Sequence, residues 1–158
     1  MAKRDNKDLL GQIYFTDNYK NLRWHPIRMI KANNLYNDLV NRELDQYYNR
    51  LRNYPSDLQK ETHRHTAASA LLSQLYPENF VRELGDLKEY ADIKSGQDPN
   101  NSVFDKKNNE IGISLGKRYP KYSHYEMYDE IMKQIRNDTT KDDYIRMPSV
   151  HAVIYSKN

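Results

Sequence analysis

Between Phe104 and Gly116 the chain reads FDKKNNEIGISLG, which places Asn108, Asn109, Gly112 and Gly116 three, four, seven and eleven residues after Asp105. On a helix those spacings bring all five side chains to one face. An ordinary core stripe at that spacing would be Leu, Ile or Val. A carboxylate, two amides and two glycines in their place require that something polar packs there or that something is bound there. Glycine inside a helix costs about 1 kcal/mol relative to Ala, so Gly85, Gly112 and Gly116 point to close packing or access. The run Thr66, Ala67, Ala68, Ser69, Ala70 would likewise let another helix backbone come close, and Gly112 and Gly116 repeat that small-residue device.

Punctuation along the chain divides it into helices. Pro26 suits the first turn of a helix whose apolar positions, from Met29 through Leu51, keep a helical period to about Asn53, where YPS (54–56) ends it. Ser56 and Gln59 form a capping box that opens a second helix to about Leu75. Pro77 starts a third, ENFVRELGDLKEYADI, that stops near Ser95 and Gly96. The turn-rich QDPNNS follows, with Ser102 expected to cap the helix that carries the opening stretch and Gly116 near that helix's end. SHYE (123–126) is a second capping box, for a helix to about Asn137, and NDTTKDD is a polar loop. QIYF (12–15) and SVHAVIY (149–155) alternate as short strands that could pair. The expectation is a mainly α chain of about five helices in one compact bundle-like domain with short terminal strands: residues 1–25 an N-terminal arm, 26–138 the helical core, 139–158 a C-terminal loop and strand.

A chain of 158 residues is the size of one domain, and 14 Tyr, with Leu and Ile spread along it, argue against disorder. The absence of Cys excludes disulfides, a thiolate nucleophile and a zinc ribbon. No stretch approaches the roughly 18 apolar residues of a membrane span, and MAKRDNKDLLGQIYF lacks the apolar segment of a signal peptide, so the cytoplasm or the inside of an assembly is the expected location. Residues 1–60 hold 11 Lys and Arg against 7 Asp and Glu, an excess of +4 that leaves nucleic acid open as a partner without forming a dense basic patch.

Three successive helices each carry unusual polar groups: HRH (63–65), GDLKE (85–89), and the Asp-Asn-Asn-Gly face. In a functional reading His65, Glu89 and Asp105 are the catalytic set, His65 as base or metal ligand, with Arg64, Asn108 and Asn109 binding a substrate or an anionic transition state. Hydrolysis of a polar polymer such as peptidoglycan would suit them. In a structural reading Asp105 is the capping partner of Ser102, and the amides, Arg64 and Glu89 satisfy one another between close-packed helices. Both readings stand on the sequence. A divalent metal is compatible with these residues but not implied by them, and no nucleophile elbow, phosphate loop or His-Glu-x-x-His motif is present. His25, His124 and His151 read as structural, and the many Tyr suit half-buried helix faces and protein interfaces.

Arg64-His65, then Gly85 and Glu89, then Asp105-x-x-Asn108-Asn109-x-x-Gly112-x-x-x-Gly116 resemble a largely uncharacterised bacterial domain family marked by Arg-His, Gly-x-x-His-Glu and Asp-x-x-Asn-Asn-x-x-Gly-x-x-x-Gly, seen in toxin-like and phage-related proteins. The likeness spans about Glu61 to Gly116. It departs at Lys88, where the family has His, and at Ala67 and Ala68, where aromatic residues are usual. The resemblance implies a helical domain but no settled reaction. It leaves two expectations: a small component of a phage particle, such as a tail or connector accessory whose partners are other protein subunits, or a cell-envelope hydrolase or toxin-like enzyme.

Overall fold

In the computed structural model, residues 6–136 are described, and every regular element among them is helical: α1 (Asn6–Phe15), a single 3-10 turn (Asp17–Tyr19), α2 (Lys20–Trp24), α3 (Pro26–Asp38), α4 (Leu44–Arg50), α5 (Asp57–Leu75), α6 (Glu78–Lys94), α7 (Pro99–Arg118) and α8 (His124–Arg136). α3 and α4 are one continuous rod joined by a π-helical turn, Leu39–Glu43, in which the Leu44 amide reaches back to the Leu39 carbonyl. α5 lies at the centre and packs against α7, α6 and α8.

Local chemistry sets most of these boundaries. At the start of α5 the Ser56 hydroxyl accepts from the Gln59 amide at 3.2 Å while the Gln59 side chain accepts from the Ser56 amide at 3.1 Å. Ser123 and Glu126 close the same reciprocal pair at α8, at 3.2 and 2.7 Å. Gly96, at φ 105°, ends α6 in the left-handed region that other residues avoid.

Several expectations are corrected. QIYF is the last turn of α1, not a strand. A strand would put Ile13 and Phe15 on one face, whereas the helix buries Ile13 and leaves Phe15 88% exposed. SVHAVIY lies outside the described residues. Helices outnumber the expected five because the first 25 residues contribute α1 and α2, which, with the 3-10 turn between them, cluster through Ile13, Tyr19 and Leu22 with Phe80 and Val81 of α6. α7 begins earlier than expected, at Pro99, capped by Asp98 accepting from the Asn100 amide at 2.9 Å. Ser102 is therefore a buried residue inside the helix, and Asp105, in the second turn, is not its capping partner.

The glycine face of α7 meets the small-residue face of α5. A Cβ on Gly112 would overlap the Thr66 carbonyl oxygen and come within 2.8 Å of the Ser69 Cβ, and one on Gly116 would overlap the Ala70 carbonyl and come within 2.8 Å of the Ser73 Cβ. The two backbones touch with nothing between them. Around this crossing lie two apolar clusters, one built on α4, α5 and α8, the other on α1–α3 and α6. No described helix is long and apolar enough to cross a membrane.

Candidate functional site

The close crossing of α5 and α7 decides which polar residues meet. His65, next to the Thr66 carbonyl at the edge of the contact, projects from α5 between a carboxylate of α6 and one of α7. Its Nδ1 is 3.9 Å from Glu89 Oε1 and its Nε2 is 3.5 Å from Asp105 Oδ1. The imidazole is 12% exposed, while Glu89 is 1% exposed and Asp105 is buried. The second Asp105 oxygen is held by the Gln97 side-chain amide at 3.2 Å. Neither oxygen of Glu89 completes a hydrogen bond of normal geometry among the described residues.

Enclosure shapes the titration of this trio. Burial, then the Asp105 charge, pushes Glu89 up to about 7, with the Ser102 hydroxyl offsetting a little. Burial, then Glu61, pushes Asp105 up to about 6. Burial, then the Lys88 charge, pushes His65 down to about 3. Near neutral pH the imidazole is uncharged, and Glu89 can give or take a proton.

His65 borders two spaces. On one side is a cavity of about 150 Å³ lined by aliphatic side chains, chiefly of α5 and α6, with Asn33, Tyr36, Asn37, Ser69, Lys88 and Asn109 as its other polar points. Gly85 keeps its wall thin: a Cβ there would come within 3.1 Å of Asn109 Nδ2. On the other side is an open cleft lined by Tyr36, Asp57, Lys60, Glu61, Arg64, His65 and Lys88.

The remaining candidates fall in different places. Asn109 lines the cavity, its Oδ1 accepting from Ser69 Oγ at 3.1 Å. Asn108 is fully buried. Arg64 reaches the rim of the cleft, but its guanidinium turns away from the trio, donating to Asp45 at 2.9 Å and lying over the Tyr48 ring. Lys88, at the position where the resembling family has His, is bound to Asp92 at 2.5 Å.

Three participants escaped the sequence reading. Glu61 stands one turn before His65 on the same face of α5, and its ligand atom, that of His65 and that of Asp105 all lie within 4.8 Å of one another. A Glu-x-x-x-His spacing on a helix was the available signal. Gln97 and Tyr36 carry no local signal, because only the tertiary fold brings them here. His63, two residues from His65, faces the other way and is a core residue: its ring meets the Tyr48 hydroxyl and the Tyr128 carbonyl oxygen, each at 2.9 Å, and stacks on Tyr47.

No protein-family model matches the chain, and no similar protein was found among curated proteins or solved structures.

Proposed function

We propose that the chain is a hydrolase that works by acid–base chemistry at His65, Glu89 and Asp105. The observation that carries this reading is the buried carboxylate of Glu89, left without a hydrogen bond of normal geometry beside an imidazole that opens onto a cleft. A scaffold satisfies its buried polar groups, because an unpaired buried carboxylate destabilises the fold by several kcal/mol or is driven to protonate. Retaining one here favours chemistry over packing. In this scheme neutral His65 takes a proton from an attacking water and returns it to the leaving group as the bond to the substrate breaks. Glu89 and Asp105 orient the ring and stabilise the imidazolium that forms, and Asn109 and Lys88 contact the substrate. The cleft mixes both signs of charge and one Tyr, which suits a polar polymer, and peptidoglycan is the class to try first.

Turbidity of purified peptidoglycan, with and without divalent metal, tests the reading. The wild type clears it and His65→Ala loses at least 100-fold in rate. Lack of any clearance dependent on His65 or Glu89 on cell-envelope substrates removes the proposal.

A second reading, a component of a phage particle such as a tail or connector accessory, draws on a different observation. Phe15, Trp24, Ile27 and Ile30 of α1–α3 are 88, 74, 70 and 59% exposed, a set of apolar residues that suits contact with other subunits. Light scattering and co-sedimentation with virion proteins test it. A monomer at high concentration that binds none of them sinks it. The two readings are compatible, since a particle component can carry a wall-degrading site.

A further inference from the structure

We infer that Glu61, His65 and Asp105 form a binding site for one first-row divalent cation, with Glu89 as the carboxylate that orients the histidine. This rests on the site of the hydrolase reading and changes one role in it: with a cation bound, His65 Nε2 would be a ligand instead of the base, and the cation would supply the acidity of the attacking water.

The geometry is that of a three-ligand centre. Metal–ligand bonds of about 2.1 Å in a tetrahedron set neighbouring donor atoms about 3.4 Å apart. His65 Nε2 and Asp105 Oδ1 are 3.5 Å apart. The third donor, Glu61, is within 4.8 Å of both and exposed, so rotation of its side chain closes the triangle without moving either helix. His65 and Glu61 stand one helical turn apart on α5, a spacing that presents two ligands to one ion. Glu61 faces the open cleft, which leaves the remaining coordination positions to water or substrate.

The second, independent observation is Glu89. Its carboxylate is 1% exposed, has no hydrogen bond of normal geometry beyond the nearby Ser102 hydroxyl, and lies by the nitrogen of His65 opposite the one that faces Asp105. A metal on Nε2 fixes the proton on Nδ1, and a ligating histidine characteristically donates that proton to a carboxylate. Glu89 is placed to be that acceptor, and the contact of 3.9 Å needs to shorten by less than 1 Å to become one. Gln97 acts on Asp105 in the same way, holding the oxygen that does not face the histidine. The cation that acts on His65, Glu89 and Asp105 together, Lys88, is drawn to Asp92 and does not fill the triangle. One imidazole and two carboxylates form a donor set for Zn²⁺ or Mn²⁺ rather than a thiolate-type ion.

The test is titration of Zn²⁺ and of Mn²⁺ into full-length protein stripped with chelator, followed by calorimetry and, for Mn²⁺, by water-proton relaxation. One ion per chain is expected, with enhanced relaxation from bound water. Glu61→Ala, an exposed change that leaves the fold intact by circular dichroism, weakens binding at least 10-fold, and Glu89→Gln weakens it about 10- to 100-fold. No stoichiometric binding of either ion, or binding that Glu61→Ala leaves unchanged, overturns the inference. Stoichiometric binding without clearance of any envelope substrate leaves the metal site standing and removes the hydrolase reading alone.

Discussion

Glu89 decides between a scaffold and a site. Were it a structural member of the helix crossing, removing its charge would break partners and lower stability. With neither oxygen in a hydrogen bond of normal geometry, the opposite is expected. The isosteric Glu89→Gln change removes a buried charge that faces the Asp105 carboxylate, so at pH 8 the metal-free variant should be more stable than the wild type by about 1–3 kcal/mol. Chemical denaturation at that pH measures it, and a destabilised variant would return the residue to the scaffold. Loss of turnover alongside gained stability is the pattern of a group kept for function. His63 makes the contrast. It is as deeply buried as its neighbour's carboxylate partners, but both ring nitrogens are paired, and it belongs to the tyrosine cluster of the core.

At the scale of the elements, the α5–α7 crossing rests on two glycines. Because a methyl group at either would strike backbone rather than a flexible side chain, Gly112→Ala and Gly116→Ala should each destabilise by about 3 kcal/mol or more, through forced separation of the helices. Gly11 in α1 has nothing within 4 Å of where its Cβ would stand, and Gly11→Ala should stabilise by about 0.5–1 kcal/mol through helix propensity alone. Urea denaturation of the three variants checks both directions at once. The small-residue logic behind this crossing could be read from spacing, as could Pro26 and the two capping boxes, since each is a short-range device. The π-helical turn at Leu39–Glu43 could not. It puts Glu43 where its carboxylate accepts from the Tyr128 hydroxyl at 2.7 Å and meets His124 Nδ1 at 2.6 Å, partners more than 80 residues away. The α7 start was misjudged because Ser102 and Asp98 are both good caps in sequence, and Pro99 favours the earlier one.

Across the whole molecule the same division appears. His65, Glu89, Asp105 and Asn109 could be nominated from their odd placement on helices. The direction of Arg64, the pairing of His63 and the approach of Gln97 depend on how helices cross. Those crossings also set how stability responds to pH, since the buried histidines and carboxylates pull in opposite senses. Burial lowers His63 to about 4 and His65 to about 3, so each binds its proton in the unfolded chain first and takes stability away as pH falls below about 6.5. For His63 the groups that bear on it are the Tyr48 hydroxyl, the Tyr128 carbonyl and the Arg136 and Arg64 charges. Glu89 and Asp105, raised to about 7 and about 6, hold protons in the folded state that the unfolded chain has released, and so take stability away as pH rises. Between about pH 4.5 and 6 these two pairs oppose each other, so the metal-free wild type should depend only weakly on pH there. Glu89→Gln removes one opposing group, and its stability should fall by about 1.4 kcal/mol per unit as pH drops through that window. Denaturation midpoints at half-unit steps from pH 4.5 to 6.5, with chelator present, would show two parallel curves if His65, Glu89 and Asp105 did not share one enclosed site.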